Sequence, residues 1–251
     1  MLDHSSDVDT AAPRRSSGRR ARTDWRLGGR TVRRWNEWLL AIALIGLGVG
    51  VLSGAIIAWA WDSPLAPLVG SAAAGLGMVV PIVLAFRRSR PVGLLRFRPL
   101  DLLWGVGLGV GLRVVQGLIA GPKPLPTFAT IDGRVSEWLA LDAVGAVVAA
   151  PVIEELFFRA VMIVAMFTIL RPLVGHVAAG VTAALVSTGL FVMTHALAGG
   201  AEIGSVIGLA LLGFVASGVV LLTGRIWGAI VLHAVCNASF VALVAFGTAL
   251  S

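Results

Sequence analysis

The chain reads as long apolar blocks divided by short polar breaks, and apolar and polar residues do not alternate within the blocks. Seven blocks can be drawn, at about Trp38–Trp61, Leu65–Phe86, Leu100–Ala120, Trp138–Leu170, Val174–Leu197, Ile203–Leu222 and Ile226–Leu250. An apolar run of about 18 residues or more has the length of a membrane-crossing helix. Transmembrane β-strands would instead alternate over segments of about ten residues, and no such segment is seen. The expected fold class is therefore all-α, a polytopic transmembrane helix bundle of about seven spans. The fourth block is too long for one straight crossing of ~20 residues, so it tilts, or it breaks in two and makes the count eight.

The polar stretches set the organisation around these blocks. Residues 1–34, including "APRRSSGRRARTDWRLGGRTVRR", lack apolar periodicity and are expected to form a disordered basic cytoplasmic tail. They do not resemble a cleavable signal peptide, because the first apolar block is too long and no small-residue cleavage site follows it. Residues 35–135 then form an N-terminal group of transmembrane helices, and residues 136–251 a second bundle that carries the unusual polar groups.

Composition agrees with a membrane protein. Apolar residues make up 57 % of the chain and charged residues 13 %, too few charges to cover the surface of a soluble domain of this size. The net charge of +7 raises the question of nucleic acid. The basic residues sit beside the apolar blocks, however, so orientation in the bilayer accounts for them and no nucleic-acid partner is expected. Alternating the spans from a cytoplasmic N-terminus places residues 87–98, Arg171 and Arg225 inside. Asp62, residues 121–137, Glu202 and the C-terminus then fall outside, as the positive-inside rule requires. Arginine usage, with Lys123 the single lysine, and much Ala, Gly and Val suggest a bacterial cell membrane. Cys236 is the one cysteine, so no intrachain disulfide can form.

Four places put costly groups at membrane depth: Glu154, Glu155 and Arg159 in "PVIEELFFRAVM"; His195 in "GLFVMTHALAGG"; His233 and Asn237 in "GAIVLHAVCN"; and Arg113. A charge at the bilayer centre costs about 2.5–3.5 kcal/mol on insertion scales and usually faces a cavity or a partner. Glu155 and Arg159 lie four apart and can pair on one helix face. Glu154 is rotated about 100° from Glu155 and is free for another task. His233 with Asn237, and Phe191 with His195, repeat the four-residue spacing. A carboxylate, two imidazoles and a carboxamide can together activate a water and hold an oxyanion. Each group also has a plainer use: an ion pair locking helices, a satisfied histidine, interhelical glue for Asn237, packing for Phe191, snorkelling or a carboxylate partner for Arg113. Three spans carrying these groups together favour chemistry.

In order, "EELFFR", "FVMTH" and "HAVCN" fit Glu-Glu-x-x-x-Arg, Phe-x-x-x-His and His-x-x-x-Asn. Over about residues 140–245 the chain thus resembles the CPBP family of intramembrane proteases, which includes the type II CAAX prenyl proteases and the Abi, or bacteriocin-processing, proteins. The resemblance implies an intramembrane endopeptidase whose catalytic residues are Glu154, Glu155, His195, His233 and Asn237. Glu154 would activate water, His195 would hold or polarise it, and His233 with Asn237 would stabilise the oxyanion. Glu155, Arg159 and Phe191 would order the site. The partners implied are a protein or peptide substrate at the membrane and the lipid bilayer. Zinc is a possible cofactor, with Glu154, His195 and His233 as candidate ligands, although the chain lacks His-Glu-x-x-His. Two other functions stay open, a non-catalytic scaffold or immunity-type protein of the same fold and a proton-coupled transporter. The catalytic reading requires His195, near the outer end of its span, and His233, near the inner end of its own, to meet within roughly 4–7 Å of Glu154.

Overall fold

A computed structural model describes residues 23–28, 32, 34–128, 130–131, 134–135, 139–199 and 202–250. The architecture is a helical bundle. Helix α1 is Glu37–Ala60, α2 is Ala66–Arg88 and α3 is Pro99–Ala120. A composite element follows: α4 at Leu139–Val144, a π turn at Gly145–Ala149, α5 at Ala150–Glu155, a second π turn at Leu156–Met162 and α6 at Ile163–Gly199. Helices α7 at Ile203–Thr223 and α8 at Trp227–Leu250 complete it. Thr130–Ile131 and Arg134–Val135 pair as two short antiparallel strands in the segment expected to be the longest loop.

Most helix limits lie within about two residues of those expected from the apolar blocks, because the breaks contain residues that stop helices. Asn36 caps α1 by accepting from the Leu39 amide, Pro99 opens α3, and Gly224 closes α7 in the left-handed region at φ 71°. The break between the fourth and fifth spans differs. It was expected at Arg171-Pro172, but helical structure runs through both, and the chain turns at Gly175, with φ 79° and ψ 175°. Proline can continue a helix here at the loss of one hydrogen bond, whereas only glycine takes this φ without strain.

Among the described residues, six helical stretches are long and apolar enough to cross a membrane, and the fourth, Gly145–Leu197, has 53 residues. At 1.5 Å per residue it would be about 80 Å long, far more than a hydrocarbon core of ~30 Å. Divided at Gly175 it supplies two crossings. The packing of α3 on α8 supports this division. Gly105 meets Gly228 and Val231, Gly109 meets Leu232 and Val235, and Arg113 reaches Cys236 and Ser239. The partners ascend together, so the two helices run parallel. Parallel neighbours need an odd number of crossings between them. The two halves of the divided stretch and α7 make three.

Helices α1 and α2 pack through glycines. A Cβ at Gly54 would lie 2.6 Å from the Gly70 carbonyl oxygen, and one at Gly70 would lie 2.9 Å from that of Gly54. Small residues four apart let membrane helices approach this closely, where dispersion and not water exclusion supplies the attraction. Trp59, Val177 and Leu222 are among the most exposed apolar side chains. In a bilayer they form the lipid-facing surface of the bundle.

The expectation of a disordered segment over residues 1–34 is corrected at its C-terminal end. Residues 1–22 lie outside the described residues, but Trp25–Leu27 form a 3₁₀ turn fastened beneath the bundle. Trp25 is buried edge-on against Phe167 and donates its indole N–H to the Gly224 carbonyl at 3.1 Å. Arg26 donates to the carbonyls of Leu221 and Leu222, and Arg171 donates to that of Arg26. The tail composition hid this strap because two side chains suffice to satisfy the open carbonyls at the end of α7.

Candidate active site

The site is built around the composite element. Glu154 and Glu155 close α5, which is only Ala150–Glu155 and is bracketed by the two π turns. Such i→i+5 turns insert a residue and shift the faces that follow, and they recur at functional sites. One carbonyl of the second turn, that of Phe158, accepts the hydroxyl of Ser187 from α6 at 2.8 Å. Ser187 was not singled out from the sequence, where one serine in an apolar helix is no signal.

The glutamates point apart, as their angular separation implies. Glu155 is wholly buried and holds two partners on one oxygen. Oε1 accepts from Nδ1 of His233 at 3.0 Å and lies 3.1 Å from Nη1 of Arg159. Arg159 is also wholly buried, and its nitrogens make no well-aligned hydrogen bond. Its close approach to Glu155 is therefore an ion pair by distance, supplemented by two ring faces. The guanidinium carbon sits 4.6 Å from the Phe191 centroid and 5.8 Å from that of Phe158. Desolvated cation–π contacts of this kind contribute about 2 kcal/mol.

Glu154 faces the other way. Its Oε2 lies 3.7 Å from Nε2 of His195 and 3.9 Å from Nε2 of His233, and this buried oxygen takes no protein hydrogen bond. The separations are just under the 4–7 Å expected for groups sharing a water. The Glu154, His195 and His233 side chains are 13 %, 33 % and 3 % exposed, so the site opens past His195. Both imidazoles are oriented from behind. Nδ1 of His195 lies 2.9 Å from the Phe191 carbonyl, and Nδ1 of His233 faces Glu155. A carbonyl and a carboxylate can only accept, so each Nδ1 carries the proton. In the neutral ring each Nε2 then offers a lone pair toward Glu154.

The register of α6 brings the two histidines together. Phe167 packs edge-on against His176, and Gly180 lies beside both Phe167 and Leu221. The first turn after Gly175 therefore lies beside Phe167 and the last turn of α7, which fixes where the span carrying His195 begins. Phe191 sits between them, its centroid 4.4 Å from the His195 ring and 5.8 Å from that of His233. Its expected packing role holds, and its backbone also orients a histidine.

Two further candidates are held by other partners. Asn237, one turn along α8 from His233, donates Nδ2–H to the Ala146 carbonyl in the first π turn at 2.8 Å. Arg113 donates to the Ser239 hydroxyl at 3.1 Å and the Cys236 carbonyl at 2.6 Å, with the Phe240 ring 5.2 Å away. It ties α3 to α8 and forms no ion pair with a carboxylate among the described residues. A further pair went unread in the sequence: Arg225, just before α8, binds buried Asp101 at the start of α3 through Nη2 at 2.7 Å and Nε at 2.9 Å. This planar two-nitrogen grip fixes the base of the helix that carries His233.

The donors were also tested against zinc. Four-coordinate zinc, with ligand bonds of about 2.0–2.1 Å, needs its donors about 3.3–3.4 Å apart. Glu154 stands wider than that from each imidazole, and no cluster of three His, Cys, Asp or Glu residues with metal-binding geometry occurs among the described residues.

Residues 136–239 match the family described as Type II CAAX prenyl endopeptidase Rce1-like. This stretch contains all three motifs and every residue of the cluster around Glu154. Neither the curated proteins nor the solved structures contain a match to the chain.

Proposed function

From the match of residues 136–239 to the type II CAAX prenyl endopeptidase family, we propose that this chain is an intramembrane endopeptidase. In this reading it hydrolyses a peptide bond of a membrane-associated protein or peptide with a glutamate-activated water. The observation that carries this is the convergence of one carboxylate oxygen and two imidazole Nε2 atoms, contributed by three different helices, on one point.

Glu154 takes a proton from water and delivers the hydroxide to the substrate carbonyl. His195, with its lone pair on Nε2, accepts the second water hydrogen and holds the nucleophile in line. As substrate binds, His233 takes a proton from solvent at Nε2, returns it after product release, and meanwhile donates this N–H to the oxyanion as a hydrogen bond. Glu155 stabilises the resulting imidazolium from the Nδ1 side. Charge supports this assignment: Glu154 and Glu155 balance Arg159 and protonated His233, so the assembly is neutral when it acts within hydrocarbon. Glu154, now protonated, passes its proton to the leaving amine. The decisive test is incubation of purified protein with a cellular membrane peptidome, followed by mass spectrometry. New termini should appear with wild type and be missing with Glu154→Ala. A scaffold or transporter would give the same peptides in both.

Asn237 completes the oxyanion site with its second N–H, the first being held by Ala146. Asn237→Ala is then expected to lower kcat by about 10²–10³, the range for one oxyanion donor, with KM little changed. A tie between helices alone would lower the melting temperature and leave kcat intact.

The chain lies in a bacterial cell membrane with its N-terminus in the cytoplasm. The support is the arginine-rich connection between α2 and α3 and the parallel α3 and α8. A cysteine placed at Lys123 should react with a membrane-impermeant maleimide from the outside of intact cells. Reaction only after the cytoplasm is opened reverses the orientation.

A further inference from the structure

The end of α2 holds a cavity of about 460 Å³ lined by Ile82, Val83, Phe86, Arg87, Ser89 and Arg90. Its chemistry divides in two. Ile82, Val83 and Phe86 form an apolar wall on the last turns of a membrane-spanning helix. Arg87 and Arg90 stand exposed at the rim, where the helix leaves the bilayer.

Neither rim arginine forms an ion pair among the described residues. On this side of the bundle Asp24 pairs with Arg26 and Asp101 with Arg225, and Glu37, at the start of α1, forms no ion pair with Arg87 or Arg90. The wall is held rigidly. Phe86 packs edge-on against buried Trp35, whose indole N–H donates to the Ala85 carbonyl at 3.1 Å. We infer that this cavity is a binding site for one anionic phospholipid. Its phosphate bridges Arg87 and Arg90, and the glycerol and upper acyl chain lie on Ile82, Val83 and Phe86.

Three observations favour this occupant. Guanidinium groups match phosphate oxygens two at a time. The volume falls in the range of small-ligand sites. The order of apolar wall and cationic rim along the helix matches the order of acyl chain and phosphate across a leaflet. The site has a route to the chemistry, because α2 also packs on α5 and on the second π turn, which hold Glu155 and Arg159.

The test uses the full chain in neutral detergent. Phosphatidylglycerol and phosphatidylcholine with identical acyl chains are titrated against it, and bound lipid is counted by native mass spectrometry. One phosphatidylglycerol should be retained in preference to phosphatidylcholine. Arg87→Gln with Arg90→Gln should weaken that retention about 30-fold, from about fivefold per arginine at an anionic surface. Arg87→Lys with Arg90→Lys should fall between wild type and the glutamine pair, because ammonium groups keep the charge and lose the paired fit to phosphate, and a melting curve of each double variant shows that it folds. Arg96→Gln with Arg98→Gln, the same charge change outside the cavity, should leave it unchanged. The proposal is overturned if that control loses as much, because the attraction is then diffuse. It is equally overturned if phosphatidylcholine binds as well, or if inorganic phosphate alone displaces the lipid at equal concentration.

Discussion

Replacement of Glu154 by glutamine is expected to abolish peptide-bond hydrolysis while leaving the bundle as stable as wild type. The amide has nearly the same shape but cannot accept a proton, and a positioned general base contributes about 10²–10⁴ in rate. A fall of at least about 10³-fold in turnover is expected, because the base also places the nucleophile. Stability should hardly change. Oε2 of Glu154 takes no protein hydrogen bond and has no cation within ion-pair distance unless a histidine is protonated. Single-turnover kinetics and a melting curve on the same preparation check both halves. Retained turnover, or a melting point several degrees lower, refutes the assignment of Glu154 as base.

The second large effect concerns the buried pair behind the site. Arg159→Met should destabilise the protein by about 3–5 kcal/mol, the usual effect of leaving one member of a buried ion pair alone. The carboxylate of Glu155 would keep only His233 as a partner, in a place where neither residue of the pair has any solvent. Glu155→Gln is expected to lose both stability and activity, since Arg159 and the His233 imidazolium each lose their counter-charge. The double variant Glu155→Gln, Arg159→Met separates these effects. It removes both charges, so most of the stability should return, as it does when buried pairs are replaced by neutral groups. Activity should not return, because His233 lacks the carboxylate that stabilises its protonated form. Denaturant unfolding of all three variants, read beside their turnover, decides it. Recovery of both properties together would reduce Glu155 to a structural residue.

The part of this protein that follows from local order was legible from residues alone. Block length against bilayer thickness yields the spans, and the arginine breaks carry the orientation proposed above. The four-residue spacing puts Glu155 beside Arg159, and the rotation between neighbouring residues sends Glu154 to a different partner. All are consequences of one helix period and one hydrocarbon thickness, so they need no knowledge of neighbouring elements. Each of the three motifs contributes one group to the cluster of Glu154, His195 and His233.

What remained hidden depends on how the elements sit against one another. A helix period specifies direction around an axis and says nothing about depth, so the level at which His195 meets His233 could not be read. The turn at Gly175 and the packing of Phe167 on His176 and Gly180 fix only where the span carrying His195 begins. The π turns that bracket the glutamates have no signature in an apolar run, and only packing with Ser187 and Asn237 shows what they are bonded to. Trp25 and Arg26 looked like tail residues because their partners are backbone carbonyls about 200 positions away, and backbone carries no sequence signal. Sequence determined which groups enter the membrane and which way each faces on its own helix. Tertiary structure alone decided that a carboxylate and two imidazoles from three helices arrive at one point, since that requires relative depths that no periodicity encodes.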